Sequence, residues 1–243
     1  MHAMKAVIFD LYETLVTHFD PDWAPPRRSI AQRLGVDESI FKDLWPRFDN
    51  AWDAGEIGRY EEALTQLCGE AAVDPDMALL AELSDERRII EARPFGTIEP
   101  GVVEMVVALK QLGLKLGVIT NVNNLGAALW ADCVLAPSFD VFVASHEVGI
   151  LKPDQRVYQL ACRRLGVQPA EAIFVGDGGA NELFGAAQVG MKPYWCTWFL
   201  DRWPVGITPN GFPGGEWRQR PINGKPPYNR LARPQELLDA VLR

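Results

Sequence analysis

Four short apolar segments, each ending in a polar residue, are the feature that most restricts how this chain can fold. The segment AVIF is followed by Asp10, and three later segments end at Thr120-Asn121, Ser145 and Asp177. Stretches with helical spacing of apolar residues alternate with the later segments. This alternation predicts an α/β fold, with a parallel sheet covered by helices on both faces. The four polar ends would then lie along the carboxyl edge of the sheet, where ligands bind in open parallel sheets.

The stretch from about residue 20 to 93 has a different pattern. Its apolar residues recur with helical spacing throughout, in segments such as SIFKDLWPRFDNAW and YEEALTQLCGEAA, which predicts about four helices. We therefore expect a helical unit at 16–94 inserted after the first strand, and a core formed by 1–15 and 95–243. Within the core, the Pro- and Gly-rich segment 201–232 predicts an irregular extension before a final helix.

Composition excludes several classes of partner. The formal charge of −8 argues against a broad nucleic-acid or anionic-membrane surface. No apolar run approaches the roughly 18 residues that span a bilayer, and the widely spaced cysteines indicate free thiols rather than a disulfide framework. These features are typical of a cytoplasmic protein that acts on a small molecule, and they leave a monomer or a homodimer open.

The polar strand ends carry residues suited to carboxylate chemistry. A carboxylate nucleophile such as Asp10 needs a cation and hydrogen-bond donors for the charge that develops during the reaction. Lys152 in EVGILKP and Thr120 in VITN supply these groups. Asp177 lies in the glycine-rich segment VGDGGANE, and a second carboxylate at the same edge suits a hard cation such as Mg²⁺.

The motifs DLYETL, VITN, EVGILKP and VGDGGANE occur in this order, with a helical insert after the first. This arrangement resembles the haloacid dehalogenase superfamily with a helical cap of the C1 type, over residues 4 to about 200. The resemblance implies a Rossmann-like core, an aspartate nucleophile and a covalent aspartyl intermediate. The residues that it implies as catalytic are Asp10, Tyr12, Thr14, Thr120, Asn121 and Lys152.

The resemblance also implies a metal site. Asp10, the backbone carbonyl of Tyr12 and Asp177 would bind Mg²⁺. Glu182 stands where the family often has an aspartate, and its longer side chain would reach a metal-bound water.

Tyr12 separates two chemistries of the superfamily. Phosphatases carry an aspartate at this position as general acid and base, whereas dehalogenases carry DxY and displace halide without a metal. A tyrosine with an ordinary pKa of about 10 is a poor base at neutral pH, so Tyr12 by itself favours dehalogenation. Glu13 is an alternative source of the missing acid, although neighbouring side chains in a turn usually point apart.

Asp177 favours the other chemistry, because an unneutralised acid beside Asp10 would raise the pKa of the nucleophile. We give this metal-binding motif more weight and predict Mg²⁺-dependent hydrolysis of a small phosphate ester. A metal-independent 2-haloacid dehalogenase and a non-catalytic binding protein are the alternatives. Among the arginines of the helical insert, Arg27 and Arg47 are candidates for substrate binding.

Overall fold

The computed structural model describes residues 3–19, 28–203 and 228–242. Its sheet has six parallel strands in the order β3-β2-β1-β4-β5-β6. The strands are β1 (Ala6–Phe9), β2 (Lys115–Thr120), β3 (Val141–Ala144), β4 (Ala172–Gly176), β5 (Lys192–Cys196) and β6 (Asn229–Leu231). The predicted α/β fold is confirmed.

The first strand lies in the middle of the sheet and is fully buried. It pairs with β2 on one side and β4 on the other, so that Phe9 lies opposite Val118 and Val175. The chain order reverses at this strand, and such a point opens a crevice at the carboxyl edge of a parallel sheet. The residue that follows β1 is Asp10, whose backbone N–H donates to the carbonyl of Val175 at 2.9 Å.

Helices cover both faces of the sheet. One buried cluster joins β1 and β2 to α5 (Pro100–Gln111) and to the last helix, and a second joins the opposite face to the helices before and after β4. The other helices of this part are α6 (Asn124–Ala131), α7 (Ser145–Val148), α8 (Gln155–Leu165), α9 (Glu182–Gln188) and α10 (Glu236–Val241).

The described residues between β1 and α5 form four further helices: α1 (Ile30–Leu34), α2 (Glu38–Asp53), α3 (Tyr60–Glu70) and α4 (Met77–Gly96). They share an apolar cluster of their own, which includes Trp45, Trp52 and Leu64. The side chain of Asp37 caps α2 by accepting from the backbone N–H groups of Ser39 and Ile40. We call this unit the cap. The division at residues 16–94 stays a prediction.

The prediction that 201–232 forms an irregular extension is wrong near the C-terminal end of this segment. Residues 229–231 form β6, which pairs with the edge of β5 and satisfies its backbone groups there. Most of the extension, 204–227, and Arg27 lie outside the described residues. Within the described part of the chain, no helix combines the length and apolar character needed to cross a membrane.

Candidate active site

The carboxyl edge of the sheet brings Asp10, at the end of β1, together with Lys152. The Lys152 ammonium donates to Oδ1 of Asp10 and, at 2.5 Å, to Oε2 of Glu182. All three side chains are almost completely buried. Ion pairs shielded from water in this way are much stronger than pairs on the surface, so the lysine holds the two carboxylates in fixed positions.

Asp177, at the end of β4, completes a group of three carboxylates. Each of Asp10, Asp177 and Glu182 offers an oxygen within 4.8 Å of the others. Backbone N–H groups orient two of them: Gly179 donates to Asp177 at 3.0 Å and Gly178 donates to Glu182 at 3.1 Å. We call these three residues with Lys152 the carboxylate site.

A glycine makes this close approach possible. A Cβ atom on Gly176 would overlap with the carboxylate of Glu182. The glycine in the VGDGG segment therefore leaves room for the longer acid. The structure brings the Glu182 carboxylate close to those of Asp10 and Asp177, and its contact with a metal-bound water stays a prediction.

The electrostatics of the carboxylate site show an excess of negative charge. Burial, followed by the neighbouring Asp10 carboxylate, raises the pKa of Glu182 to about 7. Burial also raises the pKa of Asp177 well above its usual range, with Glu182 and Asp10 adding to the effect. For Lys152, burial by itself would lower the pKa, but Asp10 and Glu182 raise it overall. Three carboxylates beside a single ammonium leave the site short of positive charge.

Two neighbouring residues fix the geometry of the nucleophile and the lysine. The Thr14 hydroxyl donates to Oδ2 of Asp10 at 3.3 Å. Asn121 binds the backbone of Lys152 twice, accepting from its N–H at 2.7 Å and donating to its carbonyl at 3.2 Å. Thr120, which precedes Asn121, is buried at the end of β2.

Tyr12 extends from the loop after β1 toward the cap. Its hydroxyl donates to Oε2 of Glu91 in α4 at 3.2 Å, and its ring stacks on His18 with centroids 4.9 Å apart. Burial, and then the Glu91 carboxylate, raise the pKa of Tyr12 well above 10. The phenol therefore stays protonated at neutral pH.

Glu13 is fully buried and serves the loop rather than the reacting centre. Its carboxylate accepts from the Thr17 hydroxyl at 2.8 Å, the His18 backbone N–H at 2.8 Å and the Trp203 indole at 2.9 Å. The alternative in which Glu13 supplies the missing acid is therefore wrong, because these donors occupy both of its carboxylate oxygens.

Arg47 lies on the outer part of the cap. Its side chain is 60% exposed, forms an ion pair with Glu70, and covers the ring of Phe48 at 4.7 Å. It borders an open cavity of about 490 Å³ that extends to Leu151, next to Lys152. Its role in substrate binding stays a prediction, as does that of Arg27.

Sequence reasoning missed a group of charged residues that the cap turns toward the core. We call Asp49 and Asp53 of α2 with Arg87 and Glu91 of α4 the cap cluster. Arg87 donates to Glu91 at 2.7 Å. Asp49 and Asp53 are four residues apart in α2, as are Arg87 and Glu91 in α4. Each pair therefore lies on one face of its helix. In α2, Asp49 and Asp53 lie on the same face as the buried Trp45 and Trp52. Two acids among core positions of a predicted helix were therefore the sequence signal that could have indicated this cluster.

Comparisons with known proteins show which proteins this chain is similar to. The family model for haloacid dehalogenase-like hydrolases matches residues 4–190. (S)-2-haloacid dehalogenase 1 of Pseudomonas sp. (strain CBS-3) is 33% identical over 201 residues, which cover 79% of this chain and 84% of that protein. Glyceraldehyde 3-phosphate phosphatase of Methanopyrus kandleri is 31% identical over 251 aligned positions, covering 98% of this chain and 97% of that protein.

Solved structures share the fold. L-2-haloacid dehalogenase from Xanthobacter autotrophicus, with chloropropionic acid covalently bound, has a TM-score of 0.60 at 20% identity, and the match covers 98% of both chains. A HAD phosphatase from Thermococcus onnurineus has a TM-score of 0.58 at 21% identity, again over 98% of both chains. Dehalogenases and phosphatases are thus both among the similar proteins. From its family match and its fold, the chain belongs to the haloacid dehalogenase-like hydrolases.

Proposed function

We propose that this protein is a cytoplasmic, Mg²⁺-dependent hydrolase of small phosphate monoesters. The observation that carries the proposal is the group of three buried carboxylates, Asp10, Asp177 and Glu182, whose oxygens lie within 4.8 Å of one another. Lys152 offsets one of their charges and contacts only two of them, Asp10 and Glu182, among the described residues. Buried charges of one sign require a partner of the other sign.

The donor set fits a hard divalent cation, because it consists of oxygens of the kind that Mg²⁺ prefers. Asp10, Asp177 and the backbone carbonyl of Tyr12 would hold the ion, and Glu182 would hold one of its waters. When bound, the ion would neutralise the carboxylates and the phosphoryl oxygens.

Asp10 would attack phosphorus with a carboxylate oxygen. The P–O bond to the alcohol breaks as the aspartyl phosphate forms, and the alcohol oxygen takes the electron pair and then a proton from solvent water. Water next attacks phosphorus, which releases inorganic phosphate and restores the Asp10 carboxylate. Lys152 and Thr14 would keep this carboxylate aligned through the contacts described above.

Tyr12 shapes the proton chemistry of this reaction. Because its pKa is raised and its proton is donated to Glu91, Tyr12 is a poor proton donor to the leaving alcohol as well as a poor base, unlike an aspartate at this position. A positioned acid or base contributes about 10²–10⁴-fold in rate. We therefore expect esters with acidic leaving groups, such as aryl phosphates, to react faster than simple alkyl phosphates.

A second candidate is 2-haloacid dehalogenase activity, which Tyr12 itself favours. In that reaction Asp10 attacks the carbon that bears the halogen, and the halide leaves with the bonding electrons and needs no proton. The similarity to the Pseudomonas dehalogenase supports this candidate. The buried carboxylate of Asp177 argues against it, since among the described residues no cation contacts it and a metal-independent reaction supplies none.

The decisive experiment measures two products from the same preparation. Phosphate release from 4-nitrophenyl phosphate is assayed with Mg²⁺ and with EDTA, and halide release from 2-chloropropionate is assayed in parallel. We expect phosphate release that EDTA abolishes and that Asp10→Asn lowers by at least about 10³-fold, because the nucleophile is lost. The exposed α4 variant Asp85→Asn is the control. Halide release that is unaffected by EDTA would overturn the proposal in favour of the dehalogenase.

A further inference from the structure

The loop after β4 carries two of the three carboxylates of the carboxylate site. Asp177 begins this loop, and Glu182 follows it at the start of α9. Between them, Ala180 and Asn181 have positive φ of 50° and 52°, a conformation that costs energy for residues with a side chain. The loop therefore depends on contacts from neighbouring elements to keep its shape.

Trp195 in β5 contacts the backbone of this loop. Its indole N–H donates to the carbonyl of Asp177 at 2.8 Å. The register of the sheet places Trp195 opposite Gly176, the residue before Asp177, and the ring is half-buried against the apolar cluster on this face of the sheet. Trp195 thus holds a main-chain atom of a residue whose side chain belongs to the carboxylate site.

The same peptide group holds Glu182 on its other side. The Asp177 carbonyl and the Gly178 N–H belong to one planar trans peptide, in which these two groups point in opposite directions. The carbonyl accepts from the Trp195 indole, and the N–H donates to Oε1 of Glu182 at 3.1 Å. The indole and the Glu182 carboxylate therefore bind a single peptide group from opposite sides.

Gly178 allows two orientations of this peptide group. Its φ of +95° and ψ of 0° are those of the third residue of a type II turn. Rotating the peptide by about half a turn gives a type I turn, in which φ is negative, and glycine accepts both values. In the rotated form the Asp177 carbonyl would face the Glu182 carboxylate, which is unfavourable because both carry negative charge on oxygen.

The last strand holds Trp195 in turn. Arg230 of β6 lies opposite Trp195 in the sheet, and its guanidinium covers the indole ring at 6.0 Å from the centroid. The guanidinium also donates to Oγ1 of Thr197 at 2.8 Å and to Oδ2 of Asp201 at 2.6 Å. The strand β6 thus supports the ring that contacts the loop of Asp177.

We propose that Trp195 is a positioning residue for the carboxylate site. By fixing the peptide between Asp177 and Gly178, its indole keeps the Gly178 N–H directed at Glu182 and keeps the acids in the arrangement that binds Mg²⁺. This inference rests on the Mg²⁺ site of the proposed function and adds to it a residue that orients the acids from behind. Residues in such a role contribute about 10–100-fold to metal affinity.

The test removes the indole N–H with Trp195→Phe, which keeps an aromatic ring beside Arg230. Trp130→Phe is the matched control, because the buried Trp130 ring packs on Phe139 and Phe142. The affinity for Mg²⁺ is measured without substrate, from the rise in Tm with Mg²⁺ concentration. We expect Trp195→Phe to raise the Kd for Mg²⁺ by about 10–100-fold and Trp130→Phe to leave it unchanged.

This measurement separates positioning from a general loss of stability. A purely structural contact would lower Tm equally in EDTA and in Mg²⁺, so the rise in Tm on adding Mg²⁺ would stay as in the wild type. That result for Trp195→Phe would overturn the inference while the proposed function stands. A wild type whose Tm does not respond to Mg²⁺ would contradict the proposed function and the inference together.

Amide exchange gives a second result that does not depend on the metal. In EDTA, the Gly178 N–H should exchange with deuterium about 2–10-fold faster in Trp195→Phe than in the wild type, the factor for the loss of one hydrogen bond. The buried amide of Gly117 in β2 controls for global opening and should be unchanged. If Trp195→Phe does not fold, the wild type still decides, because a Gly178 amide that exchanges as fast as an exposed loop amide would overturn the inference.

Discussion

Tyr12 is the residue whose environment says most about the chemistry. It stands at the sequence position where phosphatases of the superfamily carry an aspartate. The structure shows its hydroxyl bound to Glu91 of the cap, 3.2 Å away, and its pKa raised by burial and by that carboxylate. The tyrosine therefore joins the nucleophile loop to the cap and is not in a state to accept a proton.

We expect Tyr12→Asp to raise kcat for alkyl phosphates, by up to about 10²-fold, because it restores a carboxylate two residues after the nucleophile. Tyr12→Phe is the matched control, since it removes the hydroxyl without adding an acid. Rates for alkyl and aryl esters measured side by side would show the change as a weaker dependence on the leaving group. An unchanged rate with Tyr12→Asp would mean that Tyr12 does not stand in for a lost acid.

Glu182 makes stability depend on pH. Its pKa rises from an ordinary 4.5 to about 7 on folding, so the folded protein binds its proton more tightly than the unfolded chain does. The stabilisation is complete below about pH 4.5 and is lost as the pH rises through 7. A shift of this size corresponds to a free energy on the order of 3 kcal/mol.

Glu182→Gln should therefore gain stability relative to the wild type between pH 5 and 8. The measurement is the free energy of unfolding by urea in the presence of EDTA at several pH values. Glu171→Gln, in a partly exposed pair with Lys5, controls for the loss of a carboxylate elsewhere. A difference between Glu182→Gln and wild type that does not change with pH would contradict this assignment.

At the scale of elements, specific hydrogen bonds and a close backbone contact hold the cap against the core. The Trp52 indole of α2 donates to Asn124 at 3.1 Å, and the Ser145 hydroxyl donates to the carbonyl of Asp53 at 2.6 Å. Gly55, just after α2, lies so close to His146 that a Cβ atom would overlap with its backbone carbonyl. The loop after α2 is therefore pressed onto α7.

Gly55→Ala should weaken this contact, and Gly35→Ala is its matched control. Both glycines have positive φ, +74° and +73°, but a Cβ atom on Gly35 would meet nothing within 4 Å. The two alanines thus share a backbone cost of about 1–2 kcal/mol, and only Gly55→Ala adds the clash. We expect a lower Tm and a higher KM for Gly55→Ala than for Gly35→Ala. Equal values would mean that the cap moves away from α7 at no cost.

The carboxylate site links several elements of the whole molecule. Asp10 follows β1, Asp177 follows β4, Glu182 begins α9 and Lys152 precedes α8. The three carboxylates repel one another in the folded protein, and a cation that binds only the folded state stabilises it by mass action.

Mg²⁺ should consequently raise the Tm of the wild type. At a Mg²⁺ concentration 100 times its Kd, binding stabilises the folded state by about 2.7 kcal/mol, which corresponds to a rise of several degrees. Asp177→Asn should be more stable than the wild type without metal and should respond less to Mg²⁺. The measurement is thermal unfolding at Mg²⁺ concentrations from 0 to about 10 mM, a range chosen for a weak site. It gives both results without an activity assay. A wild type that is insensitive to Mg²⁺ would contradict the metal site.

The sequence by itself determined the order of strands and helices, the helical insert and the residues at the strand ends. These features depend on local periodicity and on the rule that parallel strands end at one edge, so the positions of Asp10, Thr120 and Asp177 at that edge could be predicted from the residue pattern alone. The strand β6 escaped prediction, since residues 229–231 become a strand only through pairing with β5.

Only the tertiary structure decided what several of these side chains contact. In the folded protein the buried Glu13 carboxylate accepts from the Trp203 indole, and the Tyr12 hydroxyl donates to Glu91. The Glu182 carboxylate lies close to those of Asp10 and Asp177. The tertiary structure also revealed the cap cluster, because α2 and α4 are far apart along the chain and their charged faces meet only when the cap is folded. Periodicity shows which face of a helix is buried, but the partner of a buried charge depends on packing between distant segments.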